Sequence, residues 1–211
     1  MKYIPGLLGV ACAYMLILVE GLAERNGSKK HIAGGKCYLK ELAALTKHQV
    51  EESLISFDKA NGQHLGTWLP GFPELQVHKD SFNGPKVQCS LTFMALGLEK
   101  ILEDQKNDLN PTDVLLHKML WNTISRVMML KACMEDFLKG KCPEDPLPPK
   151  MPKHVFDRKQ WSHTLLKSAK NYLDWMEHKI IVSKAKEFKK KTNQVKNTTL
   201  HKYIRGSVYH L

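Results

Sequence analysis

The chain has 211 residues, of which 43% are hydrophobic and 25% are charged, and its formal net charge is +11 at pH 7. This length is sufficient for one domain with a single sizeable core. The positive charge would suit a polyanionic partner, but there is no nucleic-acid recognition motif and a leader indicates export. We therefore expect no nucleic-acid partner.

Residues 1–23 have the pattern of a cleavable signal peptide. Lys2 supplies a positive start, an apolar stretch follows, and small residues precede a plausible cleavage point after Ala23. A transmembrane anchor fits less well, because the apolar run is shorter than the roughly 20 residues that span a bilayer and contains Pro5. We expect a secreted, extracellular product that begins with a loose, glycine-rich arm at residues 24–36.

Four cysteines remain after the leader is removed: Cys37, Cys89, Cys133 and Cys142. An even number of cysteines in an exported chain predicts two disulfides, and spacing alone leaves all three pairings open. A zinc site is the competing interpretation. It fits poorly, because no two of these cysteines have the short Cys-x-x-Cys spacing that structural zinc sites use.

The first predicted helix runs from Tyr38 to Ala60, where apolar residues recur at mostly helical spacing, and a break near Thr46 is allowed. Glycines and prolines exclude a long helix from Asn61 to Pro85. This connection is nevertheless apolar, so we expect it to lie across the helices and to be partly buried. Its aromatic side chains, among them Trp68 and Phe72, could pack in the core or contact a partner.

Two further helices are predicted from apolar periodicity. The first spans 87–106, directly after Pro85. The second begins at Asn110, which we predict to be its N-cap, with Pro111 in the first helical position and Asp113 facing the helix dipole. Its buried stripe runs from Leu116 to Met128 and towards the third cysteine.

The longest helical pattern follows a connector, Pro143–Pro152, that holds five prolines. Its apolar residues step by three or four along one face: Trp161, Leu165, Ala169, Tyr172, Met176 and Ile180. We predict that this face is core. Beyond Ser183 the pattern gives way to a basic tail, residues 184–211, which is either a solvated, frayed end or a site for sulfated glycosaminoglycan such as heparan sulfate.

Motifs of common enzymes are missing. The sequence has no His-Glu-x-x-His, no Gly-x-Ser-x-Gly and no phosphate-binding loop, and its acidic residues offer no obvious acid–base pair. We expect no enzymatic activity, no metal site and no cofactor. Two glycosylation sequons begin at Asn26 and Asn197, each in a terminus predicted to be loose, so a glycan would not disturb the fold.

Short stretches of the chain resemble class II helical cytokines, the interleukin-ten and interferon superfamily. Gln88–Ser90 opens an amphipathic helix as in the interleukin-ten pattern, and Leu130–Cys133 followed by Cys142 is similar to that family's closing cysteine pair. Residues 37–39 and 69–72 are similar to the first helix and connecting loop of lambda (type III) interferons. The basic tail departs from that group, and the vertebrate type IV interferons resemble the chain at least as well.

This resemblance implies a fold and a disulfide pairing. The expected fold is all-α: an up-down helical cytokine bundle over residues 37–183, with about six helices and long connecting loops. The implied disulfides join Cys37 to Cys133 and Cys89 to Cys142. They would close long loops and restrict the unfolded chain.

The function implied is that of a secreted antiviral cytokine of innate immunity, which brings two class II receptor chains together and triggers JAK-STAT signalling. In these families the first helix, the long loop and the last helix bind the high-affinity chain. The fourth helix and part of the first recruit the shared interleukin-ten receptor beta chain. The expected high-affinity contacts are Trp68, Phe72, Lys167, Lys170, Asp174 and His178.

Two other functions stay open on sequence grounds. The first is an interleukin-ten or interleukin-twenty-two type regulatory cytokine, which would have the same fold. The second is a basic secreted protein that binds glycosaminoglycan or microbial membranes. We expect a monomer, although the connector Pro143–Pro152 would also permit a dimer that exchanges its last helix.

Overall fold

The computed structural model describes the backbone of residues 37–77, 82–138 and 140–206, and the side chains of these residues up to 182. Four α-helices form in this part of the chain. They are α1 to α4, in chain order: Leu39–Asn61, Gly84–Asp104, Val114–Leu138 and Val155–Gly206. A 3-10 helix, Pro73–Leu75, lies in the first connection, and a π-helical turn, Gln105–Leu109, follows α2. The predicted leader, the N-terminal arm and the Asn26 sequon lie outside the described residues.

The all-α class is confirmed, but the expected number of about six helices is wrong, since the described residues contain four. Within the described residues, the two long connections are the segments with room for further helices. Prolines there remove backbone donors and clash with a preceding turn, so the described part of the first connection forms one short helical turn, Pro73–Leu75. The break allowed near Thr46 is also absent. α1 is continuous, and Thr46 Oγ1 donates to the Leu42 carbonyl at 2.7 Å.

The helix directions follow from contacts at one end of the bundle, here called the polar end. The last residue of α1, Asn61, donates to Gln105 just after α2, at 3.0 Å. At the same end Asn110, which precedes α3, donates to Asn61 at 3.0 Å, and Arg158 near the start of α4 lies 3.1 Å from Asp104. Thus α1 and α2 end where α3 and α4 begin.

The helices therefore run up-up-down-down, and the simple up-down order that we expected is wrong. The short connection between α2 and α3 makes those two helices antiparallel neighbours, whereas the two long connections each return the chain along the bundle. Around the bundle, α1 and α2 each pack against both α3 and α4. The parallel pairs are diagonal, so α3 and α4 lie on opposite sides.

The start of α3 differs from the prediction as well. Asp113, not Asn110, is the N-cap, because its Oδ1 accepts the backbone N–H of Leu116 at 3.0 Å. The Asn110 side chain is already engaged, since its Nδ2 donates to Gln105 Oε1 at 2.7 Å. Pro111 consequently lies in the turn before the helix and not in its first turn.

The core contains the complete stripe predicted for the last helix, from Trp161 to Ile180. Phe72 from the first connection packs edge-on against Trp161, with ring centroids 5.4 Å apart. Gly97 allows α2 to approach α4, because a Cβ atom at this position would lie only 2.5 Å from Leu165 Cδ1. The prediction that the connection is partly buried is confirmed.

The two disulfides join Cys37 to Cys133 and Cys89 to Cys142, as the resemblance implied. Their Cα atoms are 5.9 Å and 4.8 Å apart, within the range that disulfides require. Both lie at the end of the bundle opposite the polar end, where α1 and α2 begin and α3 finishes. Each one ties the early half of the chain to the segment around the end of α3.

The last helix is longer than the sequence pattern predicts. Its backbone continues from Val155 to Gly206, well past Ser183, where the apolar stripe ends. The second sequon, at Asn197, therefore lies within the helical backbone of α4. The residues that we assigned to a basic tail are helical up to Gly206.

Candidate interaction surfaces

The outward side of α4 carries four of the residues predicted to contact a partner. Lys167, Asp174 and His178 are exposed and Lys170 is half-exposed, so these side chains share one face of the helix. We call them the α4 outer face. Because their spacing is three or four residues, consecutive turns of α4 bring them together.

Ion pairs connect the α4 outer face to α1. Lys47 Nζ lies 3.0 Å from Asp174 and 2.7 Å from Glu177, and Lys170 lies 3.0 Å from Glu51. The hydrogen bond to Glu177, followed by that to Asp174, raises the pKa of Lys47 above its usual value of 10.5. The α1–α4 surface is therefore a charged network of both signs.

The two aromatic residues predicted to contact a partner have different environments in the structure. Phe72 is only 7% exposed and contacts Trp161 and Phe93, so it is a core residue and offers almost no surface. Trp68 is half-buried, and its backbone N–H donates to Thr164 Oγ1 of α4 at 2.8 Å. Of the two, Trp68 alone keeps part of its side chain accessible, next to α4 at Thr164.

A second surface, on α3, was missed by sequence reasoning. Val114, Trp121, Met128 and Met129 are 72%, 48%, 47% and 53% exposed. We call these four residues the α3 outer face. Met128 was predicted to belong to the buried stripe, which is wrong, since that stripe is formed by Leu116, Leu120, Ile124, Val127, Leu130 and Met134.

The sequence does contain a signal for this surface. Val114, Trp121 and Met128 are seven residues apart, or about two turns, so they repeat on one side of a helix. α3 thus has an apolar stripe on each side, although burial in the bundle uses only one. Between Val114 and Met129, all of it described, Lys118 is the single exposed charge, and Arg126 is half-buried. Exposed apolar clusters of this kind mark contact surfaces.

The polar end is a network of mostly half-buried side chains that links the ends of α1 and α2 to the starts of α3 and α4. His163 Nδ1 contacts Asp58 Oδ1 at 2.7 Å, and Arg158 bridges Asp104 and Asp108. Burial raises the pKa of Asp104, against the opposing effect of the Arg158 charge. In the described ranges no three His, Cys, Asp or Glu side chains are grouped so as to hold a metal ion. We assign this network to holding the four helices in register.

A cavity of about 310 Å³ lies between the first connection, the start of α2, the proline-rich connector and α4. Its walls include Tyr172, Trp175, Pro85 and Pro146. Burial raises the pKa of Tyr172 to about 12, although a hydrogen bond with Ser90 opposes the shift. Ser90 in turn donates to the Glu74 carbonyl at 2.6 Å, which fixes the connection against α2.

Comparisons with protein-family models, with curated proteins and with solved structures found no match. Among the described helices, none combines the length and the apolar character that a membrane span requires. The case for a function therefore rests on this chain's own residues and geometry.

Proposed function

We propose that the protein is a secreted antiviral cytokine of the class II helical type, an interferon of the type IV or type III kind. It would act by binding two receptor chains at once, which would bring their intracellular kinases together and start JAK-STAT signalling. The observation that carries this proposal is the up-up-down-down bundle with two long connections, an arrangement used by helical cytokines. Since a fold alone does not determine function, the surfaces supply the second half of the case.

The positions of the two outer faces support a ligand for two receptor chains. The α3 and α4 outer faces lie on diagonally opposite helices, so two partners can occupy them without colliding. The α4 outer face, with α1 and Trp68, is proposed to bind the high-affinity chain. The α3 outer face is proposed to recruit the shared interleukin-ten receptor beta chain.

The chemistry of each face fits its proposed role. Met and Trp are enriched at the centres of protein interfaces, and a few such residues usually carry most of the binding free energy. The charges of the α4 outer face, Lys167, Lys170 and Asp174 among them, would steer association and fix its orientation. One chain completes all four helices of the core, which supports a monomeric ligand over a dimer that exchanges helices.

The test is a signalling assay with purified, disulfide-bonded protein on cells of the source animal. STAT phosphorylation together with antiviral transcripts is the expected response, and both should disappear when the interleukin-ten receptor beta chain is deleted. STAT phosphorylation without antiviral transcripts would instead identify an interleukin-ten or interleukin-twenty-two type regulator. No response from a sample shown to be folded would overturn the proposal of a cytokine.

A further inference from the structure

The last helix continues beyond the bundle. α1 and α4 are antiparallel, and Lys47 pairs with Glu177. Leu39, the first residue of α1, comes two turns before Lys47 and is therefore level with about residue 185 of α4. The remaining α4 residues, up to Gly206, extend about 30 Å past the start of α1 at 1.5 Å per residue.

The charge of α4 changes at the same point. Within the bundle several of its ionic residues are paired: Asp174 and Glu177 with Lys47, Lys170 with Glu51, and Arg158 with two aspartates. From residue 184 to residue 206 the sequence has one acid, Glu187, and eight cationic residues: Lys184, Lys186, Lys189, Lys190, Lys191, Lys196, Lys202 and Arg205. Most of the net charge of +11 is thus concentrated where α4 leaves α1.

We infer that residues 184–206 are a binding site for sulfated glycosaminoglycan. A linear polyanion gains free energy from such a segment by releasing its condensed counterions, and the gain grows with the number of cations engaged. Glycosaminoglycan is the polyanion at cell surfaces, so the inference requires the same extracellular location as the proposed cytokine function. It does not require that the protein signals.

The composition of the segment favours a soluble polyanion over a lipid surface. A helix that lies in a membrane interface needs a strong apolar face of Trp, Phe or Leu residues. In this segment one set of positions spaced by three or four residues, as on one side of a helix, is Ala185, Phe188, Thr192, Val195 and Thr199. Two of these residues are polar and one is small. Lysines occupy most of the other positions up to 191. Charge, and not apolar burial, is therefore the main source of affinity.

Binding should also change the helix itself. Lys186 and Lys190 are four residues apart, and like charges at this spacing destabilise an isolated helix. Since Glu187 is the one acid between residues 184 and 206, the sequence offers little to offset that repulsion. A bound polyanion would remove it, so we expect the helix content of this segment to rise when glycosaminoglycan binds.

The experiment compares two variants of the full secreted chain that lose the same charge. The tail variant replaces six lysines with glutamine, at 184, 186, 189, 190, 191 and 196. The bundle variant makes six Lys→Gln changes at exposed positions elsewhere, namely 40, 59, 86, 106, 150 and 153. Binding to heparin is measured by titration between 50 and 200 mM NaCl, with hyaluronan, which lacks sulfate, as the polymer control.

The expected results separate the site from general positive charge. At 150 mM NaCl the tail variant should lose about 100-fold in heparin affinity, and the magnitude of its log–log salt slope should fall by about four to five. The bundle variant should stay within about threefold, and hyaluronan should bind neither protein strongly. Circular dichroism should show helix gain on heparin addition for the parent and the bundle variant, but not for the tail variant.

Other results would overturn the inference. Equal losses in both variants would mean that the net charge alone attracts heparin. Binding of the parent to phosphatidylserine vesicles that exceeds its binding to heparin, and that the tail variant loses, would assign the segment to membranes. Because these measurements need no cell response, their outcome is separate from that of the signalling assay.

Discussion

The outer faces of α3 and α4 lie on opposite sides of one bundle, yet they differ in chemistry. The α3 outer face is built from exposed apolar residues, among them Trp121 and Met128, and Lys118 is the one exposed charge between Val114 and Met129. The α4 outer face is a set of charges tied to α1, with Lys47 bridging Asp174 and Glu177. Binding on α3 should thus depend on removing apolar surface from water, whereas binding on α4 should depend on charge.

Removing the apolar side chains of α3 should have the largest effect. The double variant Trp121→Ser with Met128→Ser should lose about 2–4 kcal/mol of binding free energy, the range of interface hot spots. The concentration for half-maximal STAT phosphorylation should therefore rise at least 30-fold, roughly 1.4 kcal/mol being a factor of ten. Binding to the high-affinity chain should be unchanged, since that chain is proposed to contact the opposite side.

The matched control for this variant is Leu147→Ser, which removes an equally apolar, 85% exposed side chain from the proline-rich connector. It should change the signalling response by less than about threefold, because isolated exposed apolar residues contribute little. If the control lost as much activity as the α3 variant, the α3 outer face would have no special role. Thermal unfolding of both should match the parent, which checks that the fold is intact.

Charge reversal on α4 should have a smaller effect. Lys170→Glu removes the pair with Glu51 and should weaken binding to the high-affinity chain about tenfold, chiefly through slower association. Surface plasmon resonance resolves the two rate constants. The control Lys150→Glu makes the same charge change on the exposed connector. A larger loss in that control than in Lys170→Glu would place the high-affinity contact elsewhere.

Salt should distinguish the two faces in the unaltered protein. Raising NaCl from 50 to 300 mM should slow association with the high-affinity chain several-fold, because screening shortens the reach of the exposed charges on α4. Recruitment of the second chain by the α3 outer face should change by less than twofold over the same range. Equal salt dependence of both steps would contradict the division into an apolar face and a charged face.

The smallest expected effect concerns the ion pairs beneath the α4 outer face. The pKa of Lys47 is raised in the folded protein, so the stability from this residue is complete below the unfolded value near 10.5 and is lost as pH rises through the folded value. Lys47→Met should therefore cost under about 1 kcal/mol at pH 7, as partly exposed ion pairs usually do. The difference from the parent should shrink as pH rises above 10.5.

Ionisation of Tyr172 is a second cause of lost stability at alkaline pH. It acts equally on the parent and the variant, so it cancels when the two proteins are compared at the same pH. The pKa of Tyr172 is raised to about 12 by burial, so the fold resists its ionisation and loses stability as pH rises above 10 in the parent and the variant alike. Urea unfolding of both proteins at pH 7 and pH 12 gives the two differences in free energy. If the free-energy difference between parent and variant grew with pH, it would contradict the expected loss of the Lys47 contribution to stability at high pH.

Sequence reasoning succeeded best for α4 and least well for α3. The stripe from Trp161 to Ile180 alternates with polar residues, so one periodic pattern identified both the helix and its buried face. α3 is apolar on two sides, and periodicity cannot tell which side the bundle covers. The α3 outer face was therefore missed, and Met128 was assigned to the core.

Two further differences between the predicted and the observed structure have local explanations. Asn110 and Asp113 are both good caps, and Asp113 is the one used because the Asn110 side chain bonds to Gln105 and to Asn61, of which Asn61 is distant in sequence. Phe72 could equally have been an anchor for a partner. Its ring fills the space beside Trp161 that the first connection crosses, and no local pattern encodes that space.

The amino-acid sequence by itself determined the helical segments, the buried stripe of α4, the number of disulfides and the concentration of charge after residue 183. These properties depend on the type and spacing of side chains over a few helical turns, so they hold wherever the segment lies in the fold. Only the tertiary structure decided the up-up-down-down order and the pairing of Lys47 with Glu177. It also decided that α3 and α4 present different chemistry on opposite sides. Such properties join residues far apart in sequence, so they follow from how the whole core packs and not from any single segment.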